Sequence, residues 1–325
     1  MRVAVVETIE SHSMRLDHNP SPPQAGASLD NRTPFDGVGA HPVFSERRGE
    51  YSVAVYPDAA EAVICRVPQR IESDLDDEGP CNEERPDFAE RDPELLAKDS
   101  WERSNRRAFS ESRRYFVANR LRYMWVLTFT GDGLHGPEGR KECMRLVALF
   151  MRRFRAAFGP MPYWGSPELH PGGHGWHVNL FVPRRLPHDQ IQHLWAERVS
   201  ELPGVSTGMV HVSDKTKDRR VAAQNLSFVE ALRLGALYGC KYASKDWSPE
   251  QILPGEHRYV SGHDYKPEKI QMYAFTEGGA VELAVGLYGL PPTWCWRSAE
   301  CEDWDGPDVV CLRWNQPRVK GAGDG

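Results

Sequence analysis

Glu168, His177 and Asn179 are the first residues whose types and spacing suit chemistry. They lie in the run Glu168-Leu-His-Pro-Gly-Gly-His-Gly-Trp-His177-Val-Asn179-Leu-Phe-Val182. The run reads as strand, glycine-rich turn and strand: residues 163–169 lead in, 171–175 turn, and 176–182 run out. Side chains alternate between the faces of a strand, so Trp176, Val178, Leu180 and Val182 line one apolar face while His177 and Asn179 share the other. Two ligand-type side chains two residues apart, with a carboxylate on the adjacent strand, suit a divalent cation. An ordinary hairpin with polar residues on a half-exposed outer face fits this stretch equally well. His170 and His174 are nearby alternative ligands, ranked below Asn179 because His174 would face the site only across a distorted turn.

A second group is Tyr238-Gly-Cys-Lys241-Tyr242-Ala-Ser-Lys245, at the end of a helix that opens on Ser227 with Glu230 three residues later, a capping-box pattern. On a helix Tyr238 and Tyr242 are i and i+4, and Lys241 and Lys245 repeat the same step beside them. Taken alone, the pattern is that of an amphipathic helix with two half-buried tyrosines and two solvent-facing lysines. It also supplies a nucleophile next to a phosphate-neutralising cation.

The elements that must position these groups follow from periodicity. Residues 104–122 read as a helix with Phe109, Tyr115, Phe116 and Ala118 inward. Tyr123–Thr130, rich in aromatic and β-branched residues, reads as a buried strand. Residues 137–158 form an amphipathic helix with Met144, Val147, Ala148, Met151 and Phe154 on one face, ended by Gly159-Pro160. Residues 187–199 give a helix with Ile191, Leu194, Trp195 and Val199 inward, and 208–213 a short strand. Pro, Gly and acidic residues dominate 1–99, which are expected to be largely disordered apart from two short strands at 51–56 and 62–65. The tail holds an apolar segment at 279–287, then Trp294, Trp296, Trp304 and Trp314. These tryptophans suit core packing or, less simply, a platform for unpaired bases. The expected organisation is a disordered acidic region (1–99), a catalytic domain (100–275) and a small Trp-rich extension (276–325). The expected fold class is α+β, an antiparallel β-sheet flanked by helices, with the metal face of the central strands opposite the tyrosine helix.

The 325 residues carry a formal net charge of -6, unevenly distributed. Residues 71–100 hold a local balance of -9, which leaves the rest of the chain at +3. Arginines cluster at 103, 106, 107, 113, 114, 120 and 122, and again at 140, 145, 152, 153 and 155. Such clusters fit a polyanionic partner, although a solvated helix face is the commoner meaning of a charge run. Seven cysteines with scattered spacing and no C-x-x-C argue against a disulfide framework or a cysteine zinc site. No apolar run is long enough to span a bilayer, and residues 1–13 lack a signal pattern, so a cytoplasmic location without membrane attachment is expected. No G-x-x-x-x-G-K-[ST] occurs, which excludes a P-loop NTPase.

In order along the chain come an apolar strand (Val126-Leu-Thr-Phe-Thr130), His177-Val178-Asn179 with upstream Glu168, and Tyr238-x-x-Lys241-Tyr242-x-x-Lys245. This order resembles that of the HUH endonucleases, specifically the rolling-circle replication initiators of plasmids, single-stranded DNA phages and integrative elements. Ala118-Asn-Arg-Leu121, His257-Arg-Tyr259 and Tyr265-Lys-Pro267 look like segments of actinobacterial replication-associated proteins. The resemblance covers roughly residues 100–315. It implies a metal-dependent DNA endonuclease and strand transferase in which His177, Asn179 and Glu168 hold Mg²⁺ or Mn²⁺, hard cations that favour oxygen ligands. The cation would polarise the scissile phosphate. Tyr238 or Tyr242 would attack, assisted by Lys241 and Lys245, giving a 5′-phosphotyrosine and a free 3′-hydroxyl for rolling-circle replication. The substrate implied is single-stranded origin DNA, and the partners are a host helicase and the replication machinery. The family usually carries histidine at both ends of the second motif; here Asn179 stands at the second.

Mobilisation relaxases place the tyrosine before the histidine motif, which sets them apart from this chain. A two-tyrosine HUH transposase is the alternative enzymatic reading. A catalytically weak or inactive DNA-binding relative is the reading that Asn179 favours.

Overall fold

The computed structural model of the chain describes residues 50–67, 93–130, 134–170, 175–202, 204–245, 256–302, 304 and 307–317. The disorder expected over most of 1–99 falls largely outside these residues, as do His174 and the tip of the glycine-rich turn. The fold is α+β, with two antiparallel five-stranded sheets and six helices among the described residues.

The site belongs to the sheet built from the middle of the chain. Its strands β3 (Tyr123–Thr130), β4 (Trp164–Leu169), β5 (Trp176–Val182), β6 (Ser206–Asp214) and β7 (Val260–Ser261) lie in the order β6-β3-β5-β4-β7. The alternation within β5 sorts its side chains as its sequence requires. Trp176, Val178, Leu180 and Val182 enter a core with helices α2 (Gly136–Phe158) and α3 (His188–Val199). Phe181, on the opposite face, enters a second cluster with α1 (Pro93–Ala118) and α5 (Phe228–Lys245); the short helix α4 (Arg219–Ala223) precedes α5. The sheet is thus sandwiched between two helical layers, with α1 and α5 on the His177–Asn179 face.

Two helices differ instructively from their sequence reading. Helix α1 begins eleven residues earlier than expected, at Pro93. The buried stripe of α2 is Cys143, Leu146, Val147, Phe150, Met151 and Phe154, while Ala148 is exposed and Met144 half-buried. Arg140 sets this rotation. It is 1% exposed, pairs with Glu256 at 3.0 Å and donates to the His257 carbonyl at 2.8 Å. A guanidinium buried to that degree must keep its partners, so it fixes which side of α2 faces inward. The Ser227–Glu230 capping box forms as expected, with Ser227 N–H donating to Glu230 at 2.8 Å and Glu230 N–H to Ser227 Oγ at 3.3 Å.

The first sheet is assembled from both ends of the chain. Strands β1 (Tyr51–Tyr56) and β2 (Glu61–Arg66) form a hairpin flanked by β8 (Ile270–Ala274), β9 (Trp294–Arg297) and β10 (Val309–Arg313), in the order β8-β1-β2-β10-β9. Both short strands expected near residue 50 therefore exist, and the tryptophan-bearing tail pairs with them. This sheet crosses the boundaries drawn at 99 and 276. Val53, Val55, Ile64, Val310 and Leu312 pack on one face with helix α6 (Glu277–Tyr288). The other face runs in strand-paired rows, Gln271–Ala54–Val63–Cys311–Trp296 and Tyr273–Ser52–Cys65–Val309, and no member of either row is fully buried.

The turn of the β1–β2 hairpin docks on α1 and α5. Glu61, 2% exposed, takes Arg113 and Arg114 at 2.8 Å each and Arg313 at 3.8 Å. Arg233 of α5 donates to the carbonyls of Ala60 and Trp314 at 2.7 and 3.1 Å. Several arginines read as a polyanion surface are therefore structural: Arg113, Arg114, Arg122 and Arg140 all pair with carboxylates. Arg103, Arg106, Arg107, Arg120 and Arg152 remain exposed.

Burial alone would raise the Glu61 pKa, but the three surrounding guanidiniums outweigh it and hold the carboxyl at about 2. A depressed carboxylate stabilises the fold above its unfolded value, and that contribution disappears as pH falls through the folded value. Unfolding by urea from pH 6 to pH 2.5 is expected to show stability falling below about pH 4.5. Glu61→Gln, which leaves the arginines uncompensated, should cost about 3–5 kcal/mol at neutral pH and flatten that acid limb. An unchanged acid limb in this variant would remove Glu61 as its cause.

Candidate metal centre and tyrosine helix

The β4–β5 register sets Glu168 directly opposite His177 and Ser166 opposite Asn179, all on one face. His177 Nε2 lies 3.2 Å from Glu168 Oε2, and the Asn179 amide donates to the same oxygen at 2.5 Å. The hairpin is not the half-exposed polar surface that the sequence equally allowed. His177 is 9% and Asn179 5% exposed, and the Glu168 side chain 13%. His177 Nδ1 is buried without a hydrogen-bond partner, so the trio is not a closed hydrogen-bond network and retains unused bonding capacity. The His170 ring stands edge-on to His177 at 5.8 Å between centroids.

The turn that closes this hairpin requires its glycine. Gly175 has φ +82°, and a Cβ there would meet the Leu134 carbonyl oxygen at 2.6 Å. That same carbonyl accepts from Trp176 N–H at 3.0 Å, while the Trp176 indole donates to the Gly136 carbonyl at 2.7 Å. The start of β5 is thereby fastened to the start of α2.

The donor set fits a hard divalent cation. Adjacent ligand atoms around an octahedral ion bound at about 2.1 Å lie about 3 Å apart, which matches the spacing of the imidazole nitrogen and the amide around Glu168 Oε2. Rotating the Asn179 amide would present its oxygen in place of its nitrogen, since the two ends are sterically alike. The trio offers one negative charge, one imidazole and one amide. Among the described residues, no three His, Cys, Asp or Glu side chains converge.

Helix α5 crosses this face. A Cβ on Gly239 would meet the Phe181 ring at 3.0 Å and Phe116 at 3.3 Å, so the missing side chain lets the helix close on β5. Gly235 packs at Lys215, beyond the end of β6, and the Phe228 ring lies under Arg122, whose N–H bonds to the Val182 carbonyl. The helix thus crosses the sheet at its Val182–Phe181 end, from the turn after β6 toward β4. Tyr238 is half-buried with Phe116 and Phe181, at the Phe181 level. Four strand steps separate Phe181 from His177, roughly 13 Å. Tyr242 lies one helical turn further on. The side chains of Lys241, Tyr242 and Lys245 lie outside those described.

Three further groups lie near the site, and the first two escape the sequence reading. Lys215 places its ammonium 3.9 Å from the Tyr238 ring centroid, and burial lowers its pKa. His211, exposed on β6, shares a strand-paired row with Val126 and Asn179, two interstrand spacings from Asn179. Arg258 stacks on Trp101 at 4.3 Å, donates to Asn105 at 2.8 Å, and its carbonyl accepts from Ser166. No sequence spacing links Lys215 to Tyr238 or His211 to Asn179, because sheet and helix packing alone bring each pair together. Arg258 belongs to a segment singled out from the sequence. The two flanking segments also meet: Asn119 donates to the Tyr265 carbonyl at 2.8 Å, and Tyr259 stacks on Trp164.

No protein-family model, curated protein or solved structure matches this chain.

Replacing Glu168 with Ala removes the acceptor shared by two buried polar side chains. A loss of about 1–3 kcal/mol in urea-unfolding stability is expected, with Glu168→Gln nearer to wild type. Equal stability of Glu168→Ala and wild type would mean that water replaces the carboxylate and that the trio is not structurally coupled.

Proposed function

We propose that the chain is a replication initiator of the HUH type, nicking single-stranded DNA at an origin by metal-dependent tyrosine transesterification. One observation carries the reading: Glu168, His177 and Asn179 converge, buried, on the face of the sheet that the tyrosine helix crosses. Mg²⁺ or Mn²⁺ held by this trio would act as a Lewis acid on the scissile phosphate.

The remaining roles belong to the chain's own residues. A tyrosine hydroxyl, with a pKa near ~10 in water, loses its proton as it attacks phosphorus. The bond from phosphorus to the 3′ oxygen breaks, leaving a 5′-phosphotyrosine and a 3′-hydroxyl. Tyr238 and Tyr242, one helical turn apart on α5, would supply one nucleophile for each of two transfers. Termination requires a fresh nucleophile, which the second tyrosine would provide; Tyr238 is packed under Lys215. Lys241 and Lys245 would neutralise phosphate charge. Strand separation would fall to a host helicase, since the sequence has no P-loop.

A second reading rests on a specific residue. Asn179 in place of a second histidine weakens the ligand set and favours a DNA-binding relative with little or no cleavage. A two-tyrosine transposase uses the same chemistry and differs in the DNA it joins.

The purified chain, incubated with single-stranded origin DNA and Mn²⁺, is expected to form a covalent adduct that survives a denaturing gel. His177→Ala should abolish the adduct, and so should Tyr238→Phe combined with Tyr242→Phe. No adduct from wild type across Mg²⁺, Mn²⁺ and DNA of its own element would sink the nuclease reading. An adduct that persists in the Tyr238→Phe, Tyr242→Phe double variant would sink the assigned nucleophiles.

A further inference from the structure

Arg113, Arg114, Arg122 and Arg140 each meet a carboxylate. Arg258 is held just as firmly and meets none. Its guanidinium lies 4.3 Å from the Trp101 ring centroid and donates through Nε to Asn105 Oδ1 at 2.8 Å. Glu256, two residues earlier, belongs to Arg140. Burial lowers the Arg258 pKa, and among the described residues no carboxylate offsets this. A cation drawn part-way out of water without a counter-charge is costly, and its Nη1 and Nη2 have no partner among those residues.

Three contacts set this guanidinium on the metal side of the sheet. Tyr115 of α1 bonds to Gly262, whose N–H also donates to the Tyr163 carbonyl just before β4. Ser112 accepts from the Trp164 indole at 3.0 Å. Asn105 holds Arg258, whose carbonyl accepts from Ser166 Oγ at 3.4 Å. Helix α1 therefore runs back along β4, and Trp101, one turn before Asn105, lies toward the Glu168 end. Ser166 pairs with Asn179 and shares its face with Glu168, two residues further along β4. Arg140 also donates to the Arg258 carbonyl, at 3.3 Å, so the backbone that carries the side chain is pinned twice.

From this juxtaposition we infer that Arg258 binds a backbone phosphate of single-stranded DNA beside the scissile one at the Glu168–His177–Asn179 trio. Trp101 and Asn105 hold the guanidinium in place. Contact with the indole uses the face of the cation and leaves its edge open. Nη1 and Nη2 then form the planar fork that matches two phosphate oxygens. Such a contact positions the strand and reads no sequence. The choice of DNA rests on the reading given above, whereas the contact itself needs neither the metal nor the tyrosines.

The test uses the full chain in EDTA, so that no metal-dependent cleavage occurs. A fluorescein-labelled dT oligonucleotide is titrated at several salt concentrations and its anisotropy recorded. Arg258→Met keeps an apolar chain against Trp101 and loses the charge. It should raise Kd about tenfold and lower the slope of log Kd against log salt by about 0.7. Arg258→Lys keeps the charge and loses the fork, so the slope should stay while Kd rises about threefold. A residue that merely staples 256–262 to α1 would leave the salt slope unmoved in Arg258→Met. An unchanged slope in that variant, with circular dichroism matching the parent, would therefore overturn the proposal. So would an unchanged Kd in Arg258→Lys, which decides the matter alone if Arg258→Met does not fold, or failure of the parent to bind dT. The two readings fail separately: loss of the covalent adduct with Arg258-dependent dT binding intact removes the nuclease, while an intact adduct with no dependence on Arg258 removes this contact.

Discussion

One buried carboxylate organises how the two sheets are joined. Glu61 lies at the start of β2, where the hairpin turn meets α1, and three arginines from α1 and β10 converge on it. A guanidinium removed from water needs its counter-charge, and here several guanidiniums depend on a single one. Burial accordingly holds the Arg313 pKa down at about 10, even beside Glu61. The same α1 presents Tyr115 and Phe116 to the second sheet, so its position relative to Glu61 also sets the roof over the candidate metal face.

That roof determines what chemistry the hairpin can host. His177 and Asn179 sit on a face that is covered rather than open, with Glu168 between them. Covering excludes water and strengthens the electrostatics of whatever binds there, at the cost of desolvating a carboxylate. Glycine makes the covering close: Gly239 admits the Phe181 ring, and Gly175 lets β5 start against Leu134. The tyrosine helix is thus held by packing against the sheet, and its register relative to β5 follows from that packing.

Much of the second sheet was legible in the sequence because its signals are local. The period-2 alternation of β5, the turn glycines and the Ser227–Glu230 box each specify structure within a few residues, and β3 and β5 form over the residues expected. The first sheet was not legible in this way. Val53 pairs with Met272 and Ile64 with Val310, contacts that no local period reveals. The arginines misled for the same reason. Arg113 and Arg114 look like solvent-facing charges until Glu61, some fifty residues away, is brought beside them. In α2 the expected stripe was displaced because Arg140 behaves as a core residue, and its polar partners come from residues 256–258. At the candidate site the trio itself could be read from spacing, while Lys215 and His211 reach it only through helix and sheet packing.

The strand order of the first sheet also bears on how the chain is made. During synthesis residues 123–261, which hold all of the second sheet, emerge before β8, β9 and β10. The β1–β2 hairpin must therefore wait, with both edges unpaired, until the last strands leave the ribosome. Two strands from near the amino terminus are completed by residues more than 200 positions later, a long loop closure that slows folding. Translation thus completes the hairpin with the candidate metal trio well before it supplies the strands that close the tryptophan-bearing sheet, and a chain stopped short of residue 309 would leave β2 as an open edge.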